Sequence, residues 1–176
     1  MKRRELIRDL FIVGGGFVLA ASCRQKSGKA AIVLKNVSIT TEQEQLLHGV
    51  ASAIIPTTDT PGAGELGCHL FVLKMLDDCY GKTAQEKFIK GIDALDAYAQ
   101  KTAGSPFVKC SQAQQRQWLN EAENEKAVSL DIFYFFSIMK ERTLEGYLTS
   151  QYVLTNINKY EFIPSEKYNG FAQAKL

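Results

Sequence analysis

The stretch TTEQEQLLHGVASAIIP, residues 40–56, decides the fold class. Leu46, Leu47, Val50, Ala51, Ile54 and Ile55 recur at three-to-four spacing, which gathers them on one face of an α-helix but scatters them over both faces of a strand. Thr41 with Glu44 three residues later has the form of a capping box, and Pro56 stops the pattern. The spacing therefore predicts a helix over residues 42–55.

Reading onward, the PTTDTPGAG connection leads to a second apolar stripe of Leu66, Leu70, Phe71, Leu73 and Leu76, which runs to Tyr80 and is closed by Gly81. Thr83 with Glu86 forms another capping-box pattern, opening a third helix whose stripe is Phe88, Ile89, Ile92, Leu95 and Ala99 and which ends near Gly104. Ser111 with Gln114 caps a fourth helix carrying Trp118, Leu119 and Ala122. The fifth, over residues 129–149, is apolar around most of its circumference, with Ile132, Phe133, Tyr134, Phe135, Phe136, Ile138 and Met139. No run alternates as a strand would. The expectation is a single small all-α domain of about five helices over residues 39–176, with an irregular C-terminal tail from Ser150.

Reading backward, the chain opens MKRRELIRDLFIVGGGFVLAASC. The apolar run Leu10–Ala21 would cover about 18 Å as a helix, short of a hydrocarbon core of about 30 Å. Its flanks are those of a cleaved signal peptide, residues 1–22. Arg3-Arg4-Glu5-Leu6-Ile7-Arg8 resembles a twin-arginine export signal, with Arg3 and Arg4 as the defining pair. Leu19-Ala20-Ala21-Ser22-Cys23 resembles a lipobox, although Ala20 stands where leucine is usual, and makes Cys23 the candidate lipidated N-terminus. An ordinary cleavage near Ser22 with an unmodified Cys23 is the alternative. Residues 23–38 then read as a tether. The expected location is the periplasmic side of a bacterial membrane, held by a lipid anchor, with inner and outer membrane both open.

The leader holds four of the 21 basic and two of the 19 acidic residues, which leaves 17 of each in the mature part. With no basic excess, nucleic acid is not an expected partner.

Little of the chain points to chemistry. GAGELG, residues 62–67, spells a dinucleotide-binding fingerprint, but that motif needs a strand before its first glycine, and here a helix and two prolines precede it. A helix-to-helix connection is the better reading. His48 and His69 each lie in an amphipathic helix without a second histidine or a cysteine at metal spacing. No C-x-x-C-H haem motif or G-x-S-x-G elbow occurs. Asp93/Asp96 and Glu121/Glu125 are helix-spaced carboxylates, an arrangement that usually marks a solvated face. Cys68 and Cys79 on one helix stand about 16 Å apart, too far to bridge, so a disulfide from Cys110 to either and a set of free thiols both stay open.

Three blocks carry a family resemblance: Ile54, Ile55, Pro56, Thr60, Pro61, Gly62 and Ala63; then Lys140, Thr143, Gly146, Tyr147, Thr149 and Ser150; then Tyr160, Pro164, Tyr168 and Gly170. Together they resemble the small, gamma subunit (subunit 3) of the gluconate 2-dehydrogenase family. The resemblance implies a non-catalytic accessory subunit that carries no catalytic, cofactor or metal residues of its own. FAD would sit in a large partner subunit of glucose-methanol-choline type, and in some complexes haem c in a multihaem cytochrome c subunit. The small subunit would assist folding, stability and export of that partner. A lipid-anchored helical scaffold or binding protein without a dehydrogenase partner is the alternative, and a self-contained enzyme with an unrecognised site is a third reading. The docking surface is assigned to the connection after the first helix and to the aromatic tail. Its residues are Pro56, Pro61, Gly62, Tyr147, Tyr160, Phe162, Pro164, Tyr168 and Phe171.

Overall fold

A helix that is apolar around most of its circumference has to bury most of it, and in the computed structural model of this chain the helix Leu130–Leu148 does so, leaving one stripe exposed. The structure describes residues 32–124 and 128–160. Five α-helices follow in order: α1 Thr41–Ile54, α2 Cys68–Cys79, α3 Lys82–Ala103, α4 Gln112–Ala122 and α5 Leu130–Leu148. A 3-10 turn, Phe107–Lys109, precedes α4, and a π-helical turn, Val153–Ile157, follows α5. No strand occurs among the described residues. The all-helical class is as the periodicity predicts.

Helix α5 packs against each of the other four helices. It buries Ile132, Phe135, Phe136, Ile138 and Met139, and α3 lies along it most extensively. Phe88 and Phe135, both fully buried, meet at a ring-centroid distance of 5.0 Å. The close approach of these two helices depends on Gly91, where a Cβ would stand 2.2 Å from the Phe135 Cβ and 2.5 Å from the Asp131 carbonyl oxygen. A second aromatic layer, Tyr98, Phe107 and Trp118, joins α3 to α4 and the 3-10 turn.

The ends of the helices differ from the sequence reading in detail. The capping box of α1 is formed by Thr40 with Gln43, not Thr41 with Glu44: Thr40 has the extended backbone that a cap requires, and Thr41 is already helical. Helix α3 has no side-chain cap, because Lys82 is its first residue and Thr83 lies inside the first turn; extended Gly81 takes the cap position. Ser111 and Gln114 do form the expected box. Helix α2 starts at Cys68, leaving Leu66 in the connection. The chain after Ser150 is not irregular at its start, since it continues as helical and π-helical turns to Ile157.

Two buried glutamines close turns that the sequence left without partners. Gln85 Nε2 donates to the carbonyls of Leu76, Asp77 and Tyr80 and so satisfies the end of α2. Gln115 Nε2 donates to the Phe107 and Cys110 carbonyls.

The N-terminal segment is fastened by Asp77, which is 2% exposed. Its carboxylate accepts from the backbone N–H groups of Lys35 (2.8 Å), Asn36 (2.6 Å) and Val37 (3.0 Å), and Asn36 Nδ2 donates to its carbonyl. Val37 and Ile39 are buried in the core. Burial alone pushes the Asp77 carboxyl up, but the three backbone donors, with Lys74 nearby, outweigh it and hold the group below the usual carboxylate range.

Candidate functional site

The first two resemblance blocks, some eighty residues apart in sequence, meet at one corner. The connection from Pro56 to Gly67 turns back on itself: Ala63 N–H donates to the Ile55 carbonyl, Gly62 N–H to Thr57 Oγ1, and Cys68 N–H to the Ala63 carbonyl. Gly67 then enters α2 with φ +67°, a left-handed conformation that suits glycine. Across the corner, the Tyr147 hydroxyl donates to the Pro61 carbonyl at 3.2 Å and lies 3.5 Å from Thr60 Oγ1. Gly146 lets Phe71 pack directly on α5, since a Cβ there would stand 2.8 Å from its ring. A shallow groove of about 480 Å³ continues this corner between Glu65 and Leu66 on one side and Gln151, Tyr152, Thr155 and Asn156 on the other.

Of the residues assigned to docking, Pro56, Pro61 and Tyr147 are half-buried, Gly62 is buried within the chain's own fold, and Tyr160 is 56% exposed. Phe162, Pro164, Tyr168 and Phe171 lie outside the described residues, as do Arg3, Arg4 and Cys23. What sequence reading missed is the outward stripe at the end of α5. Ser137, Lys140 and Glu141 make it polar over its middle, and it turns apolar at Leu144 and Leu148, one helical turn apart and both exposed. Ile157 and Tyr160, also exposed, follow in the chain. The signal was present as apolar letters at 144 and 148, but in so apolar a helix nothing distinguishes an outward leucine from an inward one.

Residues 41–164 match the family Gluconate 2-dehydrogenase subunit 3. The chain belongs to that family. No curated protein and no solved structure matches it. Membership covers the corner just described, both the connection and the α5 terminus, and makes this chain one subunit of a gluconate 2-dehydrogenase-type complex.

Elsewhere in this subunit 3 chain the helix-spaced carboxylates singled out from sequence are hydrogen-bonded within the fold. Asp96 accepts from the Phe107 N–H at 2.8 Å, Asp93 from Gln43 Nε2 at 2.9 Å, and Glu121 from the Tyr98 hydroxyl at 3.1 Å. Glu125 lies outside the described residues. Cys68, Cys79 and Cys110 are free thiols, and burial pushes the Cys68 thiol up, away from reactivity. Among the described residues no group of three or more His, Cys, Asp or Glu is placed to hold a metal ion, and no helix is long and apolar enough to cross a membrane.

The two histidines, read from sequence as separate, are in contact. The rings of His48 and His69 meet edge to face at 5.1 Å. His69 is buried with Nδ1 unpartnered. Burial first, then the neighbouring His48, push its pKa below the usual histidine value, with Glu44 opposing. His48 is exposed at a cleft of about 540 Å³, where Ser52, Thr57, Glu65, Cys110 and Arg116 also line the wall.

Proposed function

We propose that this chain is a non-catalytic accessory subunit which binds the large, flavin-bearing subunit of a sugar or alcohol dehydrogenase through the corner formed by the Pro56–Gly67 connection, the end of α5 and the segment after it. Membership in the subunit 3 family carries this reading. It is supported by the apolar side chains Leu144, Leu148, Ile157 and Tyr160, exposed beside a hydrogen-bonded corner. Rigid turns and apolar side chains on a scaffold are the materials of a protein interface. The large subunit, of glucose-methanol-choline type, would hold FAD and do the chemistry, and a cytochrome c subunit would receive the electrons. Capture of the large subunit by the full chain should fall at least about tenfold when Leu144 and Leu148 are both replaced by aspartate, because each desolvated apolar anchor is worth about 1–2 kcal/mol. Leu148 is mostly exposed and Leu144 partly so, and the substitutions oppose the helix dipole, so the variant should stay folded with a modestly lower melting temperature; undiminished capture would move the docking surface elsewhere.

The leader supports a second part of the proposal: export through the twin-arginine route, folded and carrying the partner, followed by anchoring at Cys23 on the periplasmic face. Cys23→Ser should release the protein from membranes and remove the mass of a diacylglycerol from the mature chain. Unchanged mass and unchanged membrane association would remove the anchor.

A further inference from the structure

Gly64 is buried in the middle of the connection, directly on the two α1 side chains beneath it. A Cβ there would stand 2.0 Å from Ser52 Oγ and 3.1 Å from His48 Nε2. The connection therefore rests on the edge of the His48 imidazole, and the face of the same histidine pair is completed by His69, the second residue of α2. We propose that buried His69, acting through the His48 ring it packs on, is a proton-operated latch for the docking corner: neutral, it lets His48 seat the connection at Gly64; protonated in mildly acidic medium, it loosens the connection and weakens the partner's hold. The inference rests on the reading of that corner as the docking surface.

The geometry says why a proton is unwelcome there. His69 is buried and its Nδ1 has no partner, so an imidazolium would place a second N–H donor where nothing accepts it. It occupies the first turn of α2, where the aligned peptide dipoles already present positive charge. A second imidazole stands 5.1 Å away. The other charged groups facing the pair are few. Glu44, on α1, favours the protonated form of His69 and is the opposing influence. Glu65, from the connection and held by Thr57 Oγ1 at 2.9 Å, and Arg116, from α4, line the cleft with His48 and contribute one charge of each sign. Because the folded pKa of His69 lies below its ordinary value of about 6.5, the loosened form takes up protons first. The seated form therefore has its full advantage above about pH 6.5 and loses it as the pH falls towards the depressed value. Protonation of His69 is relieved by turning its ring out to water, which takes away the edge-to-face support of His48, the ring beneath Gly64.

The test is amide hydrogen exchange on the isolated full-length chain, corrected for intrinsic rates, between about pH 7.5 and about pH 5.5, on either side of the ordinary histidine value. The amides of Gly62, Ala63, Leu66 and Cys68, all hydrogen-bonded within the connection, should lose several-fold more protection than those of α3 and α5. His69→Phe keeps a ring without a titration, and His48→Gln removes the imidazole beneath Gly64 through which His69 reaches the connection; the selective loss should vanish in either. A connection whose protection follows the helices across the pH range overturns the latch, as does a wild-type pH response retained by His48→Gln and by any folded His69→Phe. Since no partner enters this measurement, its failure is distinct from failure of the docking proposal, which is read by capture at about pH 7.5.

Discussion

Gly91→Ala is expected to lower the stability of the domain by about 3 kcal/mol, the upper end of what one added methyl costs in a filled core, and the melting temperature by about 10 °C. A methyl at this position would stand 2.2 Å from the Phe135 Cβ and 2.5 Å from the Asp131 carbonyl oxygen. Neither atom is the far end of a flexible side chain, so relief requires α3 and α5 to move apart. That separation would also disturb the Phe88–Phe135 contact on the same seam. Gly81→Ala is the matched control: nothing lies within 4 Å of a Cβ there, and the backbone, at φ −70°, accepts alanine without strain. Thermal unfolding of the two variants side by side reads the difference. Equal melting temperatures would mean that α3 and α5 do not cross at Gly91.

Asp77→Ala should cost about 3 kcal/mol for a different reason: it removes the acceptor from three backbone amides, that of Val37 buried and those of Lys35 and Asn36 part-buried. The pH dependence follows from the same bonds. The folded-state pKa lies below the ordinary carboxylate value of about 3.9. The contribution is therefore complete above that value and is lost as the pH falls through it towards the folded-state pKa. Asp77→Asn keeps one acceptor oxygen and loses the charge, so its urea midpoint should be lower than wild type near neutrality and should change less on acidification to about pH 3. A midpoint for Asp77→Asn that drops on acidification as steeply as wild type would show that the acid limb belongs to another group. This window lies well below the histidine one, so the two effects separate on a single titration.

How far the letters carried depended on how local the governing interaction is. Ser111 and Gln114 are three residues apart and bond to each other, so their capping box was readable. At α1 the doubled threonine offered two such boxes, and only the extended backbone of Thr40 decides between them. The pairing of His48 with His69 rests on a connection whose entry to α2 needs φ +67° at Gly67, and no spacing rule brings residues twenty-one apart together. Asp77 was harder still, because its partners are backbone amides and carry no identity. For the corner proposed to dock, the two blocks at residues 54–63 and 140–150 could be named from sequence, but the hydrogen bond from Tyr147 to Pro61 that joins them could not.

The grip of Asp77 also separates two meanings of a domain boundary. The family pattern becomes recognisable at residue 41, with α1. The folding unit reaches further back, because a fragment started at the recognisable boundary would keep a buried carboxylate and discard the three backbone donors that satisfy it, along with the core side chains Val37 and Ile39 and with Ile32 and Leu34, which pack against the core. Anyone trimming the chain to its matched residues would therefore obtain a protein weakened near neutral pH and relieved by acid, the reverse of the intact chain, and attribute to the family a fragility that the missing segment created.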